Sequence, residues 1–161
     1  MSGADSGAAL FGLAGGPHYD PPMSDATHLE SIRAVGPGAL GERMGIEITE
    51  ATPERLVGTM PVAGNTQPYG LLHGGASVVL AETLGSFGAA LVAGEDRVAV
   101  GLDINATHHR AARSGIVTGT ATLLSGGRSV ASYEVVITDE DGRRVCTARI
   151  SCLLRDRAPG A

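Results

Sequence analysis

At 161 residues, with 43% hydrophobic against 18% charged residues, the chain is one domain long and apolar enough to build a core, which excludes global disorder. A net charge of −5, aromatics at 3% and no Trp argue against a nucleic-acid surface, because phosphates need a basic face and bases need stacking partners. The charge is uneven, with three Arg against eleven acids in residues 1–96 and nine Arg against six acids in residues 97–161.

In chain order, residues 1–23 are Gly, Ala and Ser with a Pro pair and no periodicity, which predicts a flexible tail; residues 24–157 form the domain. The first basic residue is Arg33, so no charged segment of a signal peptide precedes it, and a cytoplasmic protein is expected. A helix is predicted over 25–35 with Ser24 as N-cap and Gly36 as stop, and a further turn over 40–44. The stretch GPGALG over 36–41 matches the dinucleotide-binding spacing, yet it follows a helix rather than a strand, and with 24 Gly in the chain the match carries no weight. Neither a P-loop nor a G-x-S-x-G nucleophile turn occurs.

Strands are predicted over 45–50 and 55–61, then a long apolar helix from about residue 74 to 93. That helix approaches transmembrane length but carries Glu82 and small hydroxyl residues, and is read as a core helix. Glu82 is the only charged residue between His73 and Glu95. An ionised carboxylate in apolar surroundings costs several kcal/mol or takes up a proton more readily, so it needs a partner or a task. Val78, Val79, Ser86 and Ala89 share its helical face, while Leu80, Leu84, Phe87 and Leu91 cover the rest. No side of the helix is expected to be solvated, and Glu82 is expected to face protein or a ligand.

Four strands follow, over 98–109, 115–125, 129–138 and 143–154. Val98, Val100, Leu102, Ile104 and Ala106 alternate with polar neighbours, as do Ala131, Tyr133, Val135 and Ile137, so each strand is expected to bury one side. DEDG over 139–142 and Gly126-Gly127 signal hairpin turns. Four consecutive hairpin-linked strands and two early ones predict an antiparallel sheet wrapped around the apolar helix, an α+β domain. Cys146 and Cys152 would lie about 20 Å apart on one strand, too far to bridge, which fits a reducing compartment. His108 and His109 are adjacent and point to opposite strand faces, so no metal site is expected from them.

The segment QPYGLLHGGASVVLAETLGS over 67–86, followed by GLDINATHHRAARSG over 101–115, resembles hotdog-fold acyl-CoA thioesterases of the 4-hydroxybenzoyl-CoA and phenylacetate-degradation type. It is most similar to those acting on 1,4-dihydroxy-2-naphthoyl-CoA and on misloaded aryl carrier proteins, and the likeness covers about residue 45 onward. The resemblance implies a hotdog fold with five to six strands and hydrolysis of an acyl-CoA or acyl-phosphopantetheine thioester, aryl in preference to long-chain aliphatic. It places Glu82 as the catalytic carboxylate, Gly74 as oxyanion donor, Gln67 as the amide that positions the thioester, His73 at the helix mouth and Ser86 as a hydroxyl orienting water. It implies no cofactor beyond the coenzyme A of the substrate, and assembly as a homodimer or dimer of dimers, with no membrane partner. Arg110 and Arg113, with Arg128 and His108, are the candidates for the nucleotide phosphates.

Geometry supports the assembly independently. Gly74 and Glu82 are eight residues apart, roughly 12 Å along one helix at 1.5 Å per residue, so they cannot grip one carbonyl unless a second chain supplies one of them. Two rivals remain: a non-catalytic acyl-CoA binding or regulatory module of the same fold, and a dehydratase, against which the motif argues.

Overall fold

The computed structural model describes residues 24–157, and the predicted tail lies outside them. Helix α1 (Asp25–Val35) begins where the Ser24 hydroxyl accepts the Thr27 N–H and ends at Gly36, whose N–H returns to the Ile32 carbonyl. Asp25 in its first turn and Arg33 in its last complement the helix dipole. Helix α2 (Gly38–Met44) stops at Gly45, in the left-handed conformation at φ 69° that favours glycine. GPGALG is therefore the junction between two helices.

Six strands follow: β1 (Glu47–Ala51), β2 (Arg55–Pro61), β3 (Arg97–His108), β4 (Ile116–Gly126), β5 (Val130–Thr138) and β6 (Arg144–Asp156), with helix α3 (Gly74–Ala93) between β2 and β3. They form one antiparallel sheet in the order β1-β2-β4-β5-β6-β3. Here the structure corrects an expectation. β3 does not form a hairpin with β4; it pairs along its length with β6, Arg97 opposite Asp156 and His108 opposite Cys146. The link 109–115 instead runs back past the mouth of α3, where the Ala112 carbonyl accepts from Leu72 N–H and the Gly115 carbonyl from Val62 N–H.

A second correction concerns β3 itself. Its register slips between Gly101 and Asp103, a bulge that reverses the alternation, so Ala99 and Gly101 face the helix before it and Ile104 and Ala106 after it. Val98, Val100 and Leu102 are thus not on the face of Ile104; they are 37, 51 and 61% exposed at the sheet edge.

Helix α3 lies on the concave face, packed against β2 to β6, with Leu80 and Leu84 fully buried among Val117, Val135, Ile137 and Ile150. Full burial of a Leu or Ile side chain contributes about 1.5–3 kcal/mol. Close approach needs bare backbone at Gly88, where a Cβ would come within 2.5 Å of the Tyr133 ring. Tyr133 is fully buried, and its hydroxyl donates to the Pro53 carbonyl. The helix is long and apolar enough to cross a membrane, but the sheet covers most of it. One sheet cannot envelop a helix, however, and the expectation of an unsolvated α3 is corrected: Val78, Val79, Glu82, Thr83 and Ser86 form a half-buried stripe.

Candidate functional site

The two ends of α3 carry two separate clusters. At the N-terminal mouth, the loop 62–73 is pinned by Asn65, whose side-chain amide donates to the Met44 and Pro61 carbonyls at 2.8 and 2.9 Å. Its backbone N–H goes to Val62 and its carbonyl takes the His73 N–H, which fixes the start of the helix. His73 is the N-cap, with Nδ1 accepting the Gly75 N–H at 2.9 Å. The next N–H, that of Gly74, has no acceptor among the described residues, and it sits at the positive end of a 20-residue helix. Helix N-termini hold anions for that reason.

Gly74 opens onto a cavity of about 380 Å³ shared with Gln67, Ser77, His108, Arg110 and Ala112. A Cβ at Gly74 would lie 2.8 Å from His108 Nε2, so a side chain there would displace the imidazole. The predicted Gln67, Gly74, His108 and Arg110 thus line one cavity, with His73 beside Gly74 as the N-cap of α3. His109 points to the other face, where Nε2 meets Thr147 Oγ1 at 2.9 Å.

The second cluster surrounds Glu82, in a cavity of about 430 Å³ whose walls are mainly Phe87, Ala90, Ala99 and Pro37, with Ser86 and Arg97 as polar members. Desolvation by these apolar walls raises the Glu82 pKa above its ordinary 4.5. Among the described residues no hydrogen bond or ion pair is recorded for its carboxylate. Gly101 lies directly beneath it: a Cβ there would be 2.8 Å from Oε1. Ser86 follows one turn on, and on β6 burial pushes the Cys152 thiol up in pKa. A poorly solvated carboxylate with a free lone pair can take a proton from water or attack a carbonyl itself.

The phosphate candidates do not cluster within one chain. Arg110 and Arg113 follow the C-terminal end of β3, whereas the Arg128 carbonyl accepts from Arg97 at its N-terminal end. The two ends are roughly 36 Å apart at ~3.3 Å per residue. The whole of β4 (Ile116–Gly126) runs between Arg113 and Arg128, and that length keeps them apart in one chain. Sequence reasoning also missed three residues. Arg97 donates to the Ala93, Val92 and Arg128 carbonyls and so closes the C-terminus of α3; its place just after the helix stop was the available signal. Gly101 reaches Glu82, and Pro37 lines its cavity, from distant segments, and neither left a local sign.

Residues 69–146 match the family described as the Thioesterase superfamily. The proofreading thioesterase EntH of Cronobacter turicensis is 48% identical over 124 residues, 76% of this chain and 90% of that protein. Among solved structures, a variant of a Pseudomonas aeruginosa thioesterase superposes with a TM-score of 0.74 at 38% identity, covering 80% of this chain and 94% of the other. A Haemophilus influenzae thioesterase superposes at 0.71 with 39% identity over 74% and 84%. With these relatives spanned nearly end to end, and with a long helix wrapped by a six-stranded antiparallel sheet, the chain belongs to the hotdog-fold thioesterase superfamily.

Proposed function

We propose that the protein is a homodimeric hydrolase of acyl-CoA or acyl-phosphopantetheine thioesters, with Glu82 of one protomer and the Gly74 mouth of the other completing each site. The observation that carries this reading is the division of labour along α3. The unpaired carboxylate and the unsatisfied helix N–H occupy different cavities, so neither cavity alone has both the carboxylate and the oxyanion donor.

The half-buried stripe of α3 and the exposed apolar edge of β3 favour a second copy as the missing half. Two β3 edges paired antiparallel about a two-fold would cover Val98 and Val100 and lay the N-terminal end of one β3 against the C-terminal end of the other. The same operation brings Arg128 of one protomer toward Arg110 and Arg113 of the other, restoring a basic group for the nucleotide phosphates.

In such a site the thioester carbonyl oxygen accepts from the Gly74 N–H, with Gln67 and His108 around it. Glu82 takes a proton from a water positioned by Ser86, the water oxygen bonds the carbonyl carbon, the C–S bond breaks as the oxyanion collapses, and the sulfur leaves as thiol with the proton Glu82 returns. Direct attack by Glu82 would give a mixed anhydride that water then opens; single turnover in ¹⁸O-water labels the Glu82 carboxylate only by that second route. Phe87, Ala90 and Ala99 make the acyl end apolar, which suits an aryl or other uncharged acyl group.

The test follows free thiol from a panel of aryl- and aliphatic-CoA thioesters and an aryl-loaded carrier protein, alongside sedimentation for the dimer. Thiol release that depends on Glu82 supports the reading. Tight binding of acyl-CoA without release would make the protein a binding module, and a catalytically active monomer would overturn the shared site.

A further inference from the structure

We propose that Pro37 is a partition that sets the depth of the Glu82 cavity, and thereby the size of the acyl group accepted. The inference rests on the reading that this cavity receives the acyl group. Pro37 is the one residue that lines both the Glu82 cavity and a neighbouring cavity of about 340 Å³ walled by Ile32, Arg33, Gly36, Ile46, Glu47 and Ile48. Its ring therefore stands where the first space would otherwise run on into the second.

The ring is held from behind and from both sides. Gly36 and Gly38 have φ of 76° and 73°, conformations that side chains rarely adopt, so the junction turns sharply on either side of Pro37. Gly41 supplies the seat: a Cβ there would come within 2.6 Å of Pro37 Cβ. The strap is anchored in turn, since the Gly36 N–H bonds the Ile32 carbonyl, Ile32 is buried, and Arg33 Nε donates to the Ile48 carbonyl at 3.2 Å. The GPGALG run has in this account a structural use: three glycines place one rigid ring in the wall of the Glu82 cavity.

Two substitutions move the wall in opposite directions. Pro37→Ala removes most of the ring at φ −78°, which Ala adopts without strain, and joins the two cavities. Gly41→Ala pushes the ring forward and shortens the cavity. The experiment compares kcat/KM along a straight-chain series from butanoyl- to tetradecanoyl-CoA, and dissociation constants of the matching non-hydrolysable thioether analogues, for native protein and both variants. The expected result is an optimum displaced to longer chains in Pro37→Ala and to shorter chains in Gly41→Ala. The preference between neighbouring members should change about 10-fold, the discrimination that one or two methylenes in an apolar pocket support.

Variants are compared after circular dichroism and sedimentation confirm native fold and assembly, and a collapse of one leaves the other to decide. Hydrolysis with an unchanged chain-length optimum in the folded variants overturns the partition while leaving the thioesterase reading intact. Failure of the native protein to release thiol from any member of this series and from the aryl-CoA and carrier-protein panel overturns the thioesterase reading. The thioether series then decides the partition by itself, an identical affinity ladder in native and variant proteins overturning it.

Discussion

Replacing Gly101 by Ala separates catalysis from stability. The bulge in β3 aims Gly101 at Glu82, and an added Cβ would stand 2.8 Å from Oε1, where ordinary contact begins at 3.4 Å. The carboxylate must therefore retreat by about 0.6 Å, the difference between those two distances. Glu82 is the flexible end of a side chain beside a cavity, so the retreat costs only an off-rotamer torsion, about 0.5–1.5 kcal/mol. Gly101 has no positive φ, so Ala fits the backbone and also lowers the entropy of the unfolded chain by about 0.4–1 kcal/mol. These effects nearly cancel, and the melting temperature should stay within about 4 °C of native. Catalysis has no such tolerance, since a misplacement of about 1 Å costs on the order of 100-fold. A fall of about 10- to 100-fold in kcat, with KM changed less than threefold, is expected from steady-state thiol release beside a thermal melt. Native turnover in the variant would refute the placement of Glu82 over Gly101. A large fall in melting temperature accompanying the lost activity would refute the claim that the carboxylate alone moves.

Glu82→Gln should lower kcat by about 1000-fold or more, with analogue binding retained, and should raise the melting temperature at neutral pH. The sign follows from linkage. The folded pKa of Glu82 lies above its unfolded 4.5, so the folded state binds more protons between the two values and stability falls as pH rises through that window. Above it the penalty of an ionised, poorly solvated carboxylate is fully present, and Gln removes it. The same shift puts the acidic limb of the pH–rate profile above pH 4.5, with activity lost as Glu82 takes its proton; a limb at or below that value would contradict the desolvation. Arg97→Ala strips three carbonyls of their donor at the C-terminus of α3, and chemical denaturation should show a loss of about 1–3 kcal/mol. Gly88→Ala forces a methyl against the Tyr133 ring in the core and should cost about 1–3 kcal/mol by the same measurement, while Glu82-dependent turnover per folded molecule is preserved.

Much of this molecule was legible residue by residue. Ser24, Gly36 and the apolar period between them placed α1, and the alternation of Ala131, Tyr133, Val135 and Ile137 placed the buried face of β5. The Gly-rich helix start and the lone acid of α3 marked the places where the two cavities open, and the pitch of an α-helix set them roughly 12 Å apart. Such features are local: each depends on a few bonded neighbours, so periodicity and cap chemistry express them directly.

Pairing and register are different in kind. That β3 joins β6 and not β4 depends on which long-range ladder is lower in free energy, and nothing in 109–115 distinguishes a hairpin from a crossover. One bulged residue then turned Val98 and Val100 outward and Gly101 toward Glu82, since a period of two inverts with a single insertion. Composition and spacing determined what kinds of groups this protein has to work with; only packing between segments far apart in the chain decided that Gly101 and Pro37 would surround the carboxylate.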